Sequence, residues 1–196
     1  MTQNLLGAGV FLIQTFAGLY LILLVLRFLM QLSRVDYYNP ICQAIVKVTD
    51  PPVKPLKKVL PTIRGVDVST LCVTLIVQLL AISIVMFLGG YAFHPVYIAW
   101  SLVGLLSTIF KIYYFSLIIM VIVSWVAPNS NHPAMALVNQ LTEPVCKPAR
   151  KLLPPMGGMD FSIILVFVAI TLIDSYLIIR PLAAMLGIPQ GLVLGL

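Results

Sequence analysis

The sequence has 196 residues, of which 61% are hydrophobic and 9% are charged, and its mean hydropathy is +1.07. These values exclude an ordinary soluble domain and indicate a polytopic membrane protein. The formal net charge of +6 comes from 12 basic and 6 acidic residues. Because most of the basic residues lie in two segments between apolar runs, we expect the charge to face a membrane surface, and we expect no nucleic-acid partner.

Four apolar segments are long enough to cross a bilayer as helices, which requires about 20 residues each. They are residues 9–30, 68–89, 98–126 and 161–179. No Lys or Arg precedes Arg27, which argues against a cleaved signal peptide. The sequence therefore predicts an all-α membrane protein with four transmembrane helices. We expect Arg27, near one end of the first span, to extend toward the lipid headgroups.

The segment that follows the first span recurs 93 positions later, after the third span. Residues 39–69 and 132–162 align without a gap, and the shared prolines, glycine and charges indicate an internal duplication. The chain is thus predicted to form two repeats, at 5–90 and 98–185, each a helical hairpin. Each hairpin carries a Pro-rich amphipathic loop, at 33–67 in the first repeat and 127–160 in the second.

The recurring residues are expected to have structural roles as helix caps and turns. Asn39 and Pro40 suit the start of a helix, and we expect that helix to end at Asp50-Pro51. In the second copy the same pattern is carried by Pro133, Glu143 and Pro144. The turns back into the membrane are predicted at Pro61, Gly65 and Asp67, and again at Pro154, Gly158 and Asp160. Capping of the next span explains the two aspartates without a catalytic role.

Nine of the twelve basic residues lie in these two loops. By the positive-inside rule, both loops face the cytoplasm, and both termini face outward. The two hairpins are then parallel rather than inverted. Basic residues of the short amphipathic segments are candidate binding residues for anionic headgroups or a partner protein, at about 1 kcal/mol each: Lys54, Lys57, Lys58, Lys147, Arg150 and Lys151.

Two charged residues lie inside the predicted spans of the second repeat only. Lys111 and Asp174 are expected at similar depth, and their counterparts in the first repeat are Gly18 and Ala81. Each charge alone costs roughly 2.5 to 3.5 kcal/mol in the membrane, so a mutual pair is the natural arrangement. The pair is either structural or part of an ion or proton site. The apolar tail after Arg180 is expected at the outer interface.

No motif in the sequence indicates conventional catalysis or a cofactor. The three cysteines form no C-x-x-C pair and do not match between the repeats, so we expect reduced thiols and no metal site. Nucleotide-binding, hydrolase and metalloprotease fingerprints are absent. We therefore expect neither an enzyme nor a bound cofactor.

The doubled pattern N/H-P, T-D/E-P, K-P-x-K/R-K-x-L-P and G-x-D-x-S resembles the YggT family of small bacterial inner-membrane proteins, called YlmG in other lineages. The resemblance covers roughly residues 5 to 185. This sequence departs from the family pattern at Met120, a position where some family members are expected to have a second arginine. It implies a multi-pass inner-membrane protein that is not an enzyme. Family members are linked to osmotic tolerance and potassium uptake, and others to the assembly of membrane-associated machinery.

Two functional hypotheses follow. The first is a contribution to osmotic tolerance or potassium uptake, through a polar path that would use Lys111, Tyr113, Tyr114, Gln78, Thr171 and Asp174. The second is a scaffold that does not transport, whose basic loops bind a partner protein and anionic lipid. Four spans form a thin wall, so a conducting pore would require a homo-oligomer.

Overall fold

The computed structural model describes residues 2–63, 65–126, 132–153, 160–189 and 191–193, with side chains from residue 5 onward. Pro154 and Gly158 of the predicted repeat pattern, and Arg64, lie outside these residues. The described chain is helical apart from its connections, where Ile63 and Val66 form an isolated bridge. Its helices are α1 (Thr2–Leu32), α2 (Pro40–Lys57), α3 (Val68–Leu88), α4 (Val96–Val126), α5 (Pro133–Leu152), α6 (Ser162–Leu172), a π-helical turn (Ile173–Leu177) and α7 (Ile179–Met185).

Four helical segments are long and apolar enough to cross a membrane: Leu5–Leu32, Val68–Leu88, Val96–Val126 and Ser162–Met185. Many of their large apolar side chains are exposed, as lipid-facing residues would be; examples are Phe11, Phe87 and Phe115. The prediction of an all-α membrane protein built from two parallel helical hairpins is confirmed. We call the side of the bundle that carries α2 and α5 the platform side, and the other the opposite side.

The two repeats bury equivalent residues where a connecting helix meets its hairpin. In the first repeat, Leu24 of α1, Val53 of α2 and Val73 of α3 pack together and are at most 3% exposed. Their counterparts in the second repeat are all buried in one core cluster: Leu117, Cys146 and Val166. Because α2 and α5 each bury one apolar face against the spans, they are integral parts of the bundle rather than loose loops.

The predicted helix end at Asp50-Pro51 is wrong. α2 continues from Pro40 through Pro51, Pro52 and Pro55 to Lys57, and α5 likewise continues through Pro144 and Pro148. Each proline removes one backbone donor and disfavours a helix locally. Tertiary contacts override this preference, since the residues beyond the prolines bury their apolar face, with Val53 fully buried against the spans.

The last span is interrupted, which the sequence did not predict. After Leu172 the helix widens into one π-helical turn, and Ile178 (φ −128°, ψ −64°) separates this turn from α7. Single π turns are often found at functional positions within helices. Here the turn contains Asp174 and Ser175, so the interruption lies where the intramembrane carboxylate is.

The expectation that the C-terminal tail lies at the interface is also wrong. Leu192 and Val193 are buried among residues of α3 and α4, including Ile82 and Trp100. The side-chain amide of Gln14 donates to the carbonyl oxygen of Gly191 at 2.9 Å. The tail thus returns into the bundle from the opposite side, and its apolar side chains contribute to the core there.

Candidate functional site

The helices α2 and α5 contact each other, and together with Lys58 and Val59, which directly follow α2, they form one structure, which we call the platform. Asn39 caps α2 by accepting a hydrogen bond from the backbone N–H of Ile41 at 2.9 Å. Its amide nitrogen also donates to the carbonyl oxygen of Pro133, the first residue of α5, at 2.7 Å. A second link joins the backbone N–H of Asp36 to the side-chain oxygen of Gln140. Hydrogen bonds between the two repeats therefore hold the platform together.

Arg27 attaches the first half of the platform to α1. Its guanidinium is buried and lies 2.9 Å from both the Asp50 carboxylate and the Thr49 hydroxyl oxygen, and it also donates to the carbonyl oxygen of Val46 at 3.2 Å. The expectation that Arg27 extends to the headgroups is therefore wrong. Hydrogen bonds from Lys54 and from Arg27 outweigh burial and hold the pKa of Asp50 below its usual range. This carboxylate is ionised at neutral pH.

A second ion pair ties the end of α2 to the start of α3. The Lys57 ammonium lies 2.9 Å from the Asp67 carboxylate, which is 1% exposed. Asp67 also caps α3, accepting hydrogen bonds from the backbone N–H and the hydroxyl of Thr70. Burial raises the pKa of Asp67, but the hydrogen bonds from Lys57 and Thr70 outweigh it, so the pKa lies below its usual range. Gly65, with φ +87°, forms the turn before this cap.

The second repeat contains the equivalent pair. Arg150, the counterpart of Lys57, donates from Nε to the Asp160 carboxylate at 2.7 Å. Asp160 also accepts from the backbone N–H of Ser162 at 3.0 Å and from its hydroxyl. Burial acts to raise the pKa of Asp160, but the bonds from Ser162 and Arg150 lower it overall. Arg150 also contacts Glu143 at 2.8 Å, because Met120 replaces the arginine that holds the corresponding carboxylate in the first repeat.

The six predicted binding residues therefore fall into two groups. Three are paired within the chain: Lys54 with Asp50, Lys57 with Asp67, and Arg150 with Asp160 and Glu143. The other three, Lys58, Lys147 and Lys151, are exposed and have no ion pair among the described residues. The second group is the part of the platform that is free to meet an external anion.

The two predicted intramembrane charges, Lys111 and Asp174, line one cavity between α4 and the interrupted last span. Its volume is about 270 Å³, and its lining includes Lys111, Tyr114, Thr171, Asp174 and Arg180. Within the described residues, the ion pair of Asp174 is with Arg180, at 4.0 Å, and not with Lys111. Lys111 and Asp174 thus share a cavity without direct contact. Tyr114 lies edge-on to Phe167 of α6, with ring centroids 5.1 Å apart.

Two residues of the predicted polar path lie elsewhere. Tyr113 is buried in the core on the platform side, and Gln78 is buried on α3. Gln78 faces α4 at Gly104, where any side chain beyond hydrogen would collide with the Gln78 amide. The described structure thus places four of the six path residues around the cavity: Lys111, Tyr114, Thr171 and Asp174.

A second cavity, of about 430 Å³, lies between α1 and α4. Its lining is mostly apolar, and it includes Leu21, Ile22 and Leu26 of α1 and Ile119 of α4. Lys111 and Phe115 line both cavities, so the two are neighbours along α4. Ile22, Phe115 and Ile119 are more than 40% exposed, so this cavity opens on the lipid-facing surface.

Sequence reasoning missed the roles of two arginines. Arg27 resembled an interfacial arginine because the sequence shows only that it follows a long apolar run, and its acceptors lie 19 to 23 residues further along the chain. Arg180 resembled a helix-ending residue, and its position by Asp174 depends on the π turn. Among the described residues, no group of three or more His, Cys, Asp or Glu side chains is placed to hold a metal ion.

Comparison with known proteins finds one family model, CCB3/YggT, that matches the chain twice, at residues 6–88 and 99–181. An uncharacterized protein from Pseudomonas aeruginosa is 43% identical over 188 residues, which cover 94% of this chain and 95% of that protein. The uncharacterized protein YggT from Escherichia coli K12 is 39% identical over 152 residues, covering 78% and 79% of the two chains. No solved structure shows significant similarity. The resemblance to the YggT family is confirmed.

Proposed function

This chain belongs to the CCB3/YggT family, and from that premise we propose that it is a membrane scaffold without catalytic activity. In this proposal, the platform of α2 and α5 binds a membrane-associated protein partner, and its free lysines bind anionic lipid headgroups. The platform faces the cytoplasm of a bacterial inner membrane, and both termini face the periplasm. The excess of basic residues on the platform side supports this orientation.

One observation carries the proposal: the charged contacts that the two repeats share are those that attach the platform to the spans. Lys57–Asp67 and Arg150–Asp160 occupy equivalent positions and have nearly equal lengths. Lys111 and Asp174, in contrast, belong to the second repeat only and have no charged counterparts in the first. A duplicated surface whose halves are joined by hydrogen bonds has a fixed shape. A fixed shape reduces the entropy cost of binding a partner.

The second candidate function is a contribution to osmotic tolerance or potassium uptake. The observation in its favour is the intramembrane cavity, where Asp174 and Thr171 supply oxygen ligands of the kind that bind cations. The same cavity contains Lys111 and Arg180, however, so two positive charges face one carboxylate. This balance repels a potassium ion, and it makes the scaffold the better-supported function.

The scaffold is tested by photo-crosslinking in living cells. Val59 and Leu152 are repeat-equivalent platform positions, 78% and 76% exposed, and each accepts a photoreactive residue without loss of a buried contact. Phe16, 68% exposed on α1, is the matched lipid-facing control. The scaffold predicts a discrete protein adduct from both platform positions and none from Phe16. The adduct should disappear when Lys58, Lys147 and Lys151 are replaced by Gln while protein abundance stays unchanged.

Potassium flux in proteoliposomes decides between the two functions. The scaffold predicts no flux from well-folded protein and no effect of Asp174→Asn on crosslinking. Flux that is present in the wild type and abolished by Asp174→Asn, together with no platform adduct, would establish the transport hypothesis instead. The orientation is tested separately, by labelling a cysteine at position 152 with an impermeant reagent before and after the cells are opened.

A further inference from the structure

Lys111 is a cation in the middle of α4, and α4 contains no acidic residue that could neutralise it. It lies fifteen residues from each end of α4, or about 22 Å at 1.5 Å per residue. Its side chain is exposed, and within the described residues it forms no ion pair. The ion pair of Asp174 is with Arg180, at 4.0 Å. A lysine without a countercharge at this depth costs roughly 2.5 to 3.5 kcal/mol of insertion free energy, even by the lower values obtained from translocon-insertion measurements. An external anion at this position would offset that cost.

We propose that the two neighbouring cavities form one binding site for a phospholipid with an anionic headgroup, taken from the leaflet opposite the platform. The headgroup phosphate lies between Lys111 and Arg180, and one acyl chain lies along the groove between α1 and α4. This site is separate from the platform and does not depend on the platform binding any partner.

The direction of the side chains fits this orientation of the lipid. Side chains on a helix point toward its N-terminus, and the N-terminus of α4 is on the opposite side. Lys111 therefore extends toward the opposite leaflet. Arg180 lies six residues beyond Asp174 in the same direction, and its side chain is 71% exposed. Both cations are thus placed to meet a phosphate that approaches from that leaflet.

The apolar cavity extends from Lys111 the other way, toward the platform side. It runs along α4 as far as Ile119, eight residues or about 12 Å closer to the platform side, and along α1 from Gly18 to Leu26. A phospholipid drawn into the bundle from the opposite leaflet matches this polarity, with its phosphate near Lys111 and one chain directed toward the platform side. Gly18 lines this apolar cavity and has no side chain, which leaves room for the acyl chain.

Charge complementarity selects an anionic headgroup. The polar cavity contains two cations and one carboxylate, and the pairing of Asp174 with Arg180 at 4.0 Å leaves Lys111 unneutralised. A zwitterionic headgroup would bring an ammonium group back toward these cations. Tyr114, Thr171 and Ser175 supply additional hydroxyl groups around the phosphate position.

The test is native mass spectrometry of the purified full-length protein with phosphatidylglycerol and phosphatidylethanolamine of identical acyl chains. We expect one phosphatidylglycerol to be retained on the wild type in preference to phosphatidylethanolamine. Lys111→Met should lower its retention by about tenfold or more, whereas Lys111→Arg should preserve it. Arg34→Met removes one exposed positive charge on the platform side, at a residue with no assigned binding role, and is the matched control. It should leave this tightly bound lipid in place.

A second variant tests the acyl-chain half of the site without changing any charge. Gly18→Leu fills part of the apolar cavity. It should lower phosphatidylglycerol retention while leaving the unfolding temperature in lipid-free detergent within a few degrees of the wild type. In the same assay, added phosphatidylglycerol should raise the unfolding temperature of the wild type but not that of Lys111→Met.

Three results would overturn the proposal. The first is equal retention of the two lipids by the wild type. The second is unchanged phosphatidylglycerol retention in Lys111→Met. The third is a dimer without bound lipid that Lys111→Met converts to a monomer, which would assign the countercharge to a second copy of the chain.

Discussion

Arg27 of α1 and Asp50 of α2 form an ion pair of 2.9 Å that exists in only one of the two repeats. At the equivalent positions of the second repeat stand Met120 and Glu143. There the Met120 sulfur lies 3.6 Å from the Thr142 hydroxyl, and Glu143 turns to Arg150. The first half of the platform is thus attached to α1 by a buried cation, whereas at the equivalent place in the second repeat Met120 contacts Thr142 and the acidic side chain pairs within α5.

Arg27→Met should destabilise the protein by about 3 kcal/mol. The substitution leaves Asp50, 19% exposed, without its buried partner, and breaking such a pair is costly because a carboxylate remains partly desolvated. The measurement is thermal unfolding in detergent, followed with a thiol-reactive dye. Cys42 and Cys146 are fully buried, and burial raises the pKa of both thiols, so they react only after unfolding.

Arg34→Met is the matched control for this substitution. Arg34 is exposed and lies just beyond α1, so its replacement removes the same charge without uncovering a buried acid. We expect a change of no more than about 0.5 kcal/mol. Equal unfolding temperatures for Arg27→Met and the wild type would show that the buried ion pair makes no net contribution.

Lys57→Met and Lys58→Met replace neighbouring residues at the end of α2, but they should have different effects on stability. Lys57 neutralises Asp67, which is 1% exposed, whereas Lys58 has no ion pair within the described residues. Because the Lys57 side chain is itself 38% exposed, we expect a loss of about 2 kcal/mol, less than for a fully buried pair. Lys58→Met should be nearly neutral. Similar losses from both variants in denaturant unfolding would contradict this assignment.

The difference in unfolding temperature between Lys57→Met and the wild type should depend on pH. The pKa of Asp67 is lowered in the folded protein, so its contribution to stability is present above the unfolded pKa of about 3.9 and is lost as the pH falls toward the lower folded value. Asp50 and Asp160 act with the same sign. We expect the wild type to lose stability below about pH 4. The gap in unfolding temperature between the wild type and Lys57→Met should therefore narrow there. Unfolding temperatures at pH 7, 5, 4 and 3 measure this, and a gap that widens on acidification would refute it.

Asn39 has two separable roles, which a pair of substitutions should distinguish. Asn39→Asp keeps the oxygen that caps α2 but removes the N–H donor to Pro133, so it should cost about 1 kcal/mol through the lost hydrogen bond between the repeats. Asn39→Ala removes both and should cost about 1 kcal/mol more. Denaturant unfolding of both variants measures the difference. Equal losses for Asp and Ala would mean that only one of the two bonds contributes.

Gly104→Ala should destabilise the protein, although alanine favours helices. The new methyl group would collide with the side chains of Gln78 and Val193, so the inserted tail has to move, at a cost of about 1 to 3 kcal/mol. Gly9→Ala on α1 is the control, because nothing lies within 4 Å of its added methyl group. It should be neutral or stabilising by up to about 1 kcal/mol. Thermal unfolding of the two variants, with opposite shifts expected, checks the insertion of the tail.

The sequence by itself determined the membrane class, the four spans, the duplication and the family, because these depend on composition and on a pattern repeated in register. It also indicated the N-cap at Asn39 and the capping aspartate Asp67, since capping is a local interaction between residues close in sequence.

Only the tertiary structure decided that α2 and α5 continue through their prolines, because burial of Val53 and Cys146 against the spans outweighs a local preference. It likewise decided which basic residues are neutralised. Lys57 and Lys58 are neighbours in the sequence, but among the described residues only Lys57 reaches a carboxylate. This difference depends on how the start of α3 packs against the end of α2.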